Sequence, residues 1–287
     1  MNYEYCGMVF SSEIQLPFFK ISVAPSMYYI LKGKKIFTFS NMPFIFYDDS
    51  HYIVNFADKG YYEVSKTAII CYFNDLKFIK ATICNIPMAI IMILNDLLPI
   101  HCSSVVSHTK NCVILFAGPK GTGKTTLSYY LNRYMHYDIF GDDVVSATNV
   151  EQQKILINRG TIAMKLCENL VGSDSISKES EVYEGWGKYY HFPKQYTNFE
   201  TALPLHHLYV LKRGESTFRS VIPNFLVCPN ILNNIVGISY LEILSEKIFD
   251  LIKKIKINRV STLIVPNGLK NLKMELPNIA KIMESNK

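Results

Sequence analysis

Charge is scarce in this chain: of 287 residues, 19% are Asp, Glu, Lys or Arg, against 49% hydrophobic. That ratio excludes a wholly disordered protein, which needs low hydrophobicity and high net charge. Basic clustering is missing too. Lys and Arg exceed Asp and Glu by only 30 to 24, and no dense basic stretch of a nucleic-acid binder stands out. The seven cysteines are odd in number, scattered, and never form C-x-x-C. Neither a disulfide framework nor a zinc site is indicated, and a reducing, cytoplasmic compartment is predicted. There is no long apolar run. The most apolar stretch, IPMAIIMIL (Ile86 to Leu94), falls far short of the roughly 20 residues that span a bilayer. It reads as a buried helix or strand, and no membrane partner is expected. The opening MNYEYCGMVF has no basic region followed by an apolar stretch, which argues against a secretory signal. Internal repeats and low-complexity blocks are absent.

The residues that are present fall into two compositions. Residues 1 to about 80 are rich in Tyr, Phe, Ile and Val. Turn signals cut them at Pro17, Lys32-Gly33, Asn41-Met42-Pro43, Asp48-Asp49-Ser50 and Asp58-Lys59-Gly60. Short β-favouring runs between such breaks read as antiparallel strands and hairpins. Beyond residue 85 the pattern changes. NCVILFA (Asn111 to Ala117) is a continuous apolar run, suited to a strand covered on both faces. After a Gly-rich turn, Leu127, Leu131, Tyr134 and Met135 recur at helical spacing. Tyr240, Leu244, Ile248, Leu251 and Ile255 form a second helical stripe over Tyr240 to Ile257, and Arg259 to Pro266 reads as a strand. We expect a β-rich domain over 1–95 packed on an α/β domain over 96–287.

The informative feature is Gly118-Pro119-Lys120-Gly121-Thr122-Gly123-Lys124-Thr125, which fits G-x-x-x-x-G-K-[ST]. Gly121 and Gly123 let the backbone turn tightly, so that successive N–H groups, including those of Lys120 and Thr122, point around a phosphate. Lys124 reaches toward the β- and γ-phosphates, and the Thr125 hydroxyl joins a Mg²⁺ shell. Thr126 opens the following helix, whose dipole presents its positive end. A buried-strand pattern before the loop and a helix pattern after it give the motif its proper context. ATP and Mg²⁺ are the expected cofactors.

No LSGGQ-like signature marks a transporter ATPase, and no N/T-K-x-D marks a GTPase. One helix and a short strand beyond the loop stands Asp142-Asp143, in YDIFGDDVV. Two carboxylates there can divide the work. One shares the Mg²⁺ shell with Thr125, and the other accepts the proton of an incoming hydroxyl. Their repulsion is expected to raise the pKa of whichever carboxylate stays free.

Together, LPIHCSSVVSHTKNCVILFAGPKGTGKTTLSYYL and DIFGDDVV resemble the catalytic core of the HPr serine kinase/phosphorylase family. The opening YEYCGMVFSSEIQLPFF is similar to the N-terminal strand of a subgroup that tailors ribosomally made peptides, lasso peptides among them. The resemblance implies an α/β P-loop kinase core of the HPr-kinase/PEP-carboxykinase-like type behind a smaller β-rich N-terminal domain. It further implies that His101 lies close to the phosphate site, Asp143 acts as general base, and Asp142 with Thr125 is on the metal side. The family's additional acidic metal ligand falls on Ile157, or on Asn158 one residue on, in INRGTIAMKL. Neither is a carboxylate, so forward kinase chemistry is expected and not the phosphorylase half-reaction.

Weaker candidates remain. GWGKYYHFPK carries the only Trp, Trp186, with Lys188, His191 and Lys194, after the polar Ser173 to Glu181 stretch. It reads as a mobile segment bringing a cation to the transferred phosphoryl group, or as an ordinary surface loop, which its composition favours. Lys212-Arg213-Gly214 reads as a strand end with a basic turn that could reach phosphate, solvation being the favoured role.

The expected function is phosphoryl transfer from ATP to a serine hydroxyl of a peptide or protein, a ribosomally made precursor peptide being the subgroup's implication. A kinase of free serine or a sugar, and an ATP-sensing module without catalysis, are the rivals. A homo-oligomer is left open.

Overall fold

A computed structural model describes residues 1–34, 44–48, 51–107, 109–150, 154–173, 182–183, 186–198, 200–236 and 241–285. Of the positions named above, Asn41, Met42, Pro43, Asp49, Ser50, residues 174–181, Gly185 and Tyr240 lie outside them.

Among the described residues, the N-terminal half forms an eight-stranded sheet. Its strands are β1 (Asn2–Tyr5), β2 (Met8–Ser12), β3 (Lys20–Ile21), β4 (Tyr28–Lys32), β5 (Ile45–Asp48), β6 (His51–Asn55), β7 (Gly60–Val64) and β8 (Ala68–Phe73). The order across the sheet is β3-β1-β2-β4-β8-β7-β6-β5. The expectation of purely antiparallel pairing is corrected here, because β4 runs parallel to both β2 and β8. The chain leaves β2 to add β3 at the far edge before returning as β4, and it builds β5, β6 and β7 before returning as β8. Regularly spaced turn signals cannot show such returns, since they mark where strands end and not which strands meet.

Two short helices come next, α1 (Leu76–Thr82) and α2 (Ile86–Leu94). Asp75 caps α1 by accepting from the Lys77 N–H at 2.8 Å, as a short polar N-cap residue does. Helix α2 is IPMAIIMIL, buried from Ile86 through Ile93. Among the described residues no single helix is long and apolar enough to cross a membrane.

The second half opens with β9 (Leu98–Val106), β10 (Val113–Ala117), α3 (Lys124–Met135), β11 (Ile139–Gly141), β12 (Val144–Val150) and β13 (Lys154–Asn158). It continues through β14 (Met164–Cys167), α4 (Glu168–Ser173), β15 (Lys188–His191), β16 (Ala202–Gly214), β17 (Phe218–Val221) and α5 (Asn224–Leu232). It closes with α6 (Ser245–Ile255), β18 (Val260–Pro266) and α7 (Leu269–Glu284). The long strands β9 and β16 change partners midway. In β9, Leu98 to His101 pair with β12, whereas Cys102 to Val106 pair with β10. In β16, Ala202 to Pro204 pair with β13, whereas Leu205 to Val210 run parallel to β10. The pairings β10-β9-β12-β13-β16 therefore close on β10.

Strand β10 is buried along its whole length, as its apolar run required. Val113, Leu115 and Ala117 face one hydrophobic cluster, while Ile114 and Phe116 face another. The first cluster is continuous through both halves, from Tyr5 and Phe10 through Ile90 to Ile100 and Ile252. Two sequence details change. The predicted helix over 240–257 begins only at Ser245, after a 3-10 turn at Glu242–Leu244, although Leu244, Ile248, Leu251 and Ile255 are buried. On α3, Tyr134 lies exposed beneath the Lys273 ammonium at 4.9 Å, and Tyr130 takes the core position. The fold is the expected one, an α/β P-loop core behind a β-rich N-terminal half.

Candidate active site

The strand–loop–helix unit β10–α3 places the G-x-x-x-x-G-K-T loop at the C-terminal end of a buried strand. Gly123 precedes α3 with φ of +91°, a left-handed conformation that favours glycine. A Cβ there would also stand 2.0 Å from the Arg213 guanidinium. The Gly118 N–H donates to Asn234 Oδ1 at 2.6 Å, and Thr122 Oγ1 donates to the Pro119 carbonyl at 2.9 Å. The Lys124 ammonium donates to the Gly118 and Pro119 carbonyls at 2.7 and 3.3 Å. Burial pulls the Lys124 pKa below its ordinary value.

Thr125 sits one residue into α3 and donates its hydroxyl to Asp142 Oδ1 at 3.0 Å. The aspartates come after β11, which pairs with the second half of β9, and precede β12, which pairs with the first half. That register sets Val144 opposite His101, so the His101 ring reaches the carboxylate one residue before Val144. His101 Nε2 lies 4.0 Å from Asp143 Oδ1. Asp143 has φ of +68°, a left-handed conformation that Asp tolerates better than most residues. The turn is held at close range by Gly160, where a Cβ would come within 2.0 Å of the Val144 carbonyl. Thr161 donates its hydroxyl to the Asp142 carbonyl at 2.8 Å.

Lys165 on β14, a residue that no sequence motif marked, organises both carboxylates. Its ammonium donates to Asp143 Oδ2 at 2.6 Å, and its backbone N–H donates to Asp142 Oδ2 at 3.3 Å. The pairing splits the electrostatics of the two carboxylates. Burial and the Asp143 charge push Asp142 up to about 6. Burial would raise Asp143 as well, but Lys165, His101 and Lys188 together hold it well below the usual carboxylate range. With burial, repulsion thus raises Asp142 as expected, while Asp143 is the depressed one because Lys165, a cation the spacing did not reveal, is paired with it. His101 is lowered by burial and by the Lys124 charge.

A cavity of about 640 Å³ gathers these groups. Lys120, Gly121, Gly123, Lys124, Thr125 and Thr126 line one side, facing His101, Asp143 and Lys165. Gly118 and Thr122 belong to the loop but not to the cavity wall, and Asp142 lies behind Thr125. Two further corrections concern basic residues. Arg213, for which the sequence favours solvation over reaching phosphate, is a cavity wall residue whose guanidinium donates to the Pro266 carbonyl at 2.8 Å. Lys188 and Trp186 also line the cavity, Lys188 from β15. His191 and Lys194 line a separate cavity beside Tyr129, and Lys212 is exposed. Ile157 is buried in the core, and Asn158 donates to Ser146 Oγ at 2.9 Å.

Residues 66–151 match the family model of phosphoenolpyruvate carboxykinase. The matched stretch carries His101, the loop, α3 and both aspartates. No curated protein sequence matches the chain. Among solved structures, the HPr(Ser) kinase/phosphatase from Coxiella burnetii aligns over 65% of this chain and 99% of its own, at 13% identity and a TM-score of 0.31.

The donor chemistry fits Mg²⁺ and a polyphosphate. Thr125 and Asp142 offer hard oxygens of the kind Mg²⁺ takes, alongside those of a bound phosphate. Among the described residues there is no cluster of three His, Cys, Asp or Glu side chains that could hold a metal unaided. Lys120, Lys124, Lys165, Lys188 and Arg213 supply positive charge around the same space.

Proposed function

We propose that the chain is an ATP- and Mg²⁺-dependent kinase that phosphorylates a serine hydroxyl of a peptide or protein. The observation that carries this reading is the seating of Asp143 across one cavity from a complete phosphate-binding loop, with Asp142 already bonded to Thr125. A nucleotide sensor needs the loop but no carboxylate aimed into the cavity.

In this reading the loop N–H groups, Lys124 and the start of α3 hold the β- and γ-phosphates. Thr125 and Asp142 hold Mg²⁺, which when bound neutralises charge on the phosphate oxygens. Asp143 is ionised at neutral pH. Its Oδ2 is held by Lys165 while Oδ1 points toward His101, so Oδ1 is the oxygen that receives the acceptor's proton. A weak base suffices, since phosphoryl transfer rests almost entirely on positioning and electrostatic stabilisation. Lys188 and Arg213 stabilise the charge that spreads over the moving phosphoryl group. The acceptor, on the family resemblance, is a serine of a ribosomally made precursor peptide, met in the cytoplasm.

The test is a mass-spectrometric assay for added phosphate on serine peptides with ATP and Mg²⁺. Lys124→Ala is expected to abolish the product while circular dichroism stays native. Near-normal turnover in that variant would sink the phosphate-loop assignment.

A further inference from the structure

A second cavity, of about 560 Å³, adjoins the first and shares His101, Asn85 and Trp186 with it. Its wall carries four aromatic side chains, Phe44, Phe56, Phe78 and Trp186, with the aliphatic Ile86 and Val236. The rings brace one another, Phe44 on Phe56 at 5.0 Å and Phe56 on Phe78 at 5.2 Å. One cation stands among them. Lys59 Nζ lies 4.9 Å from the Phe78 ring and 5.3 Å from the Tyr183 ring. Phe44, Phe56 and Lys59 come from the segments flanking β5, β6 and β7, and Phe78 and Thr82 from α1, while His101, Trp186 and Val236 face them from the other half.

Among the described residues, no member of the 118–126 loop lines this cavity. A nucleobase is tethered through its ribose to phosphates on that loop, whereas an acceptor needs only to reach Asp143. His101, 4.0 Å from Asp143, is the wall residue nearest that carboxylate in sequence and pairing. An ammonium already seated among the rings repels a second cation, which removes the cationic guests that aromatic cages otherwise favour. A neutral ring or branched aliphatic group fills the apolar wall, and an anion pairs with Lys59.

We propose that this aromatic cavity seats the acceptor, and that it selects a serine flanked by a bulky apolar residue and an acidic one. The selection rests on the kinase reading above, and binding can be read separately from transfer. Trp186 is the only tryptophan and is half-exposed on the cavity wall, so its emission reports occupancy without turnover.

The experiment uses the full chain with pentapeptides bearing a central serine. The flanks are phenylalanine and aspartate, glycine and aspartate, or phenylalanine and lysine. Each peptide is titrated by Trp186 emission and then assayed for transfer with ATP and Mg²⁺. The phenylalanine–aspartate peptide is expected to bind roughly 10- to 100-fold more tightly than the glycine one, the worth of burying one aromatic side chain. Lys59→Glu, at an exposed position, should reverse the preference between aspartate and lysine flanks. Phosphorylation of all three peptides at equal efficiency, with no emission change, overturns the cavity assignment and leaves the kinase standing. An emission change produced by adenosine and not by peptide overturns it in favour of a nucleobase site. Selective binding without any transfer supports the cavity and removes the kinase reading.

Discussion

Lys165 is the residue on which the two aspartates depend. Its side chain is 10% exposed and that of Asp143 20%, and breaking such a pair by removing one partner leaves the other charge unmatched. Lys165→Met is therefore expected to destabilise the protein by about 3 kcal/mol, the low end for broken buried pairs. Lys165→Met combined with Asp143→Asn should recover most of that loss, because no unmatched charge remains. Urea unfolding of the two single variants and the double variant measures the coupling. Asp143→Asn by itself is expected to lower kcat by about 10²- to 10⁴-fold, as for a lost general base, with Mg-ATP affinity by calorimetry within a few fold of the parent. If Asp143→Asn instead weakens nucleotide binding while Asp142→Asn spares it, the two roles are exchanged. Lys165 was illegible from sequence for a simple reason. It lies 22 residues beyond Asp143 in an apolar run, and only the β14–β15 ribbon brings its ammonium back to the carboxylate.

At the scale of elements, the turn into α3 and the partner-changing strand β16 set the geometry. Gly123→Ala forces a side chain into a left-handed conformation at about 1–2 kcal/mol, and its Cβ displaces the Arg213 guanidinium. Weaker Mg-ATP binding is expected by calorimetry, and Arg213→Ala should reproduce part of that loss without a change in stability. Strand β16 also carries His207, 7% exposed, whose Nε2 bonds with Ser261 Oγ of β18 at 3.0 Å. Burial lowers its pKa to about 3, helped by Arg219, His206 and Arg259. The unfolded chain then binds the extra proton first, near pH 6.5, so stability is full above that pH and drains as pH falls toward 3. The loss between pH 7 and pH 5 is expected to be about 2 kcal/mol, at 1.36 kcal/mol per pH unit below 6.5. Thermal melts of His207→Gln should show a flatter pH profile across this window; an unchanged slope would clear His207 of that role.

For the molecule as a whole, the continuous core makes the two halves interdependent. The Cys6-Gly7 turn between β1 and β2 reaches the second half, where the Cys6 N–H donates to the Arg159 carbonyl at 2.8 Å and Ser146 Oγ donates to the Cys6 carbonyl at 2.9 Å. Phe18 stacks on Tyr190 at 5.7 Å, and its carbonyl accepts from the Ile162 N–H at 2.9 Å. Residues 96–287 expressed alone should expose the apolar face that α2 and β1 cover, and aggregate. In the intact chain, Trp186 emission and far-ultraviolet circular dichroism are expected to report one coincident unfolding transition. Two separated transitions would show that the halves are independent folding units.

The phosphate-binding loop, its helix and its aspartate pair were determined by the sequence, because each depends on local spacing. A glycine is needed where φ turns positive, a lysine must open the helix, and carboxylates must come one helix and one short strand later. Burial of Ile86 to Ile93 and of Val113 to Ala117 was equally local, a matter of apolar runs too long for a surface. The tertiary structure alone decided which strands meet and which distant cations join the cavity. Parallel pairing of β4, the approach of Lys165, Lys188 and Arg213, and the aromatic cavity at Lys59 all join positions far apart in the chain. Such encounters depend on the register of distant strands, which hydrophobic patterning constrains only to a face and not to a partner.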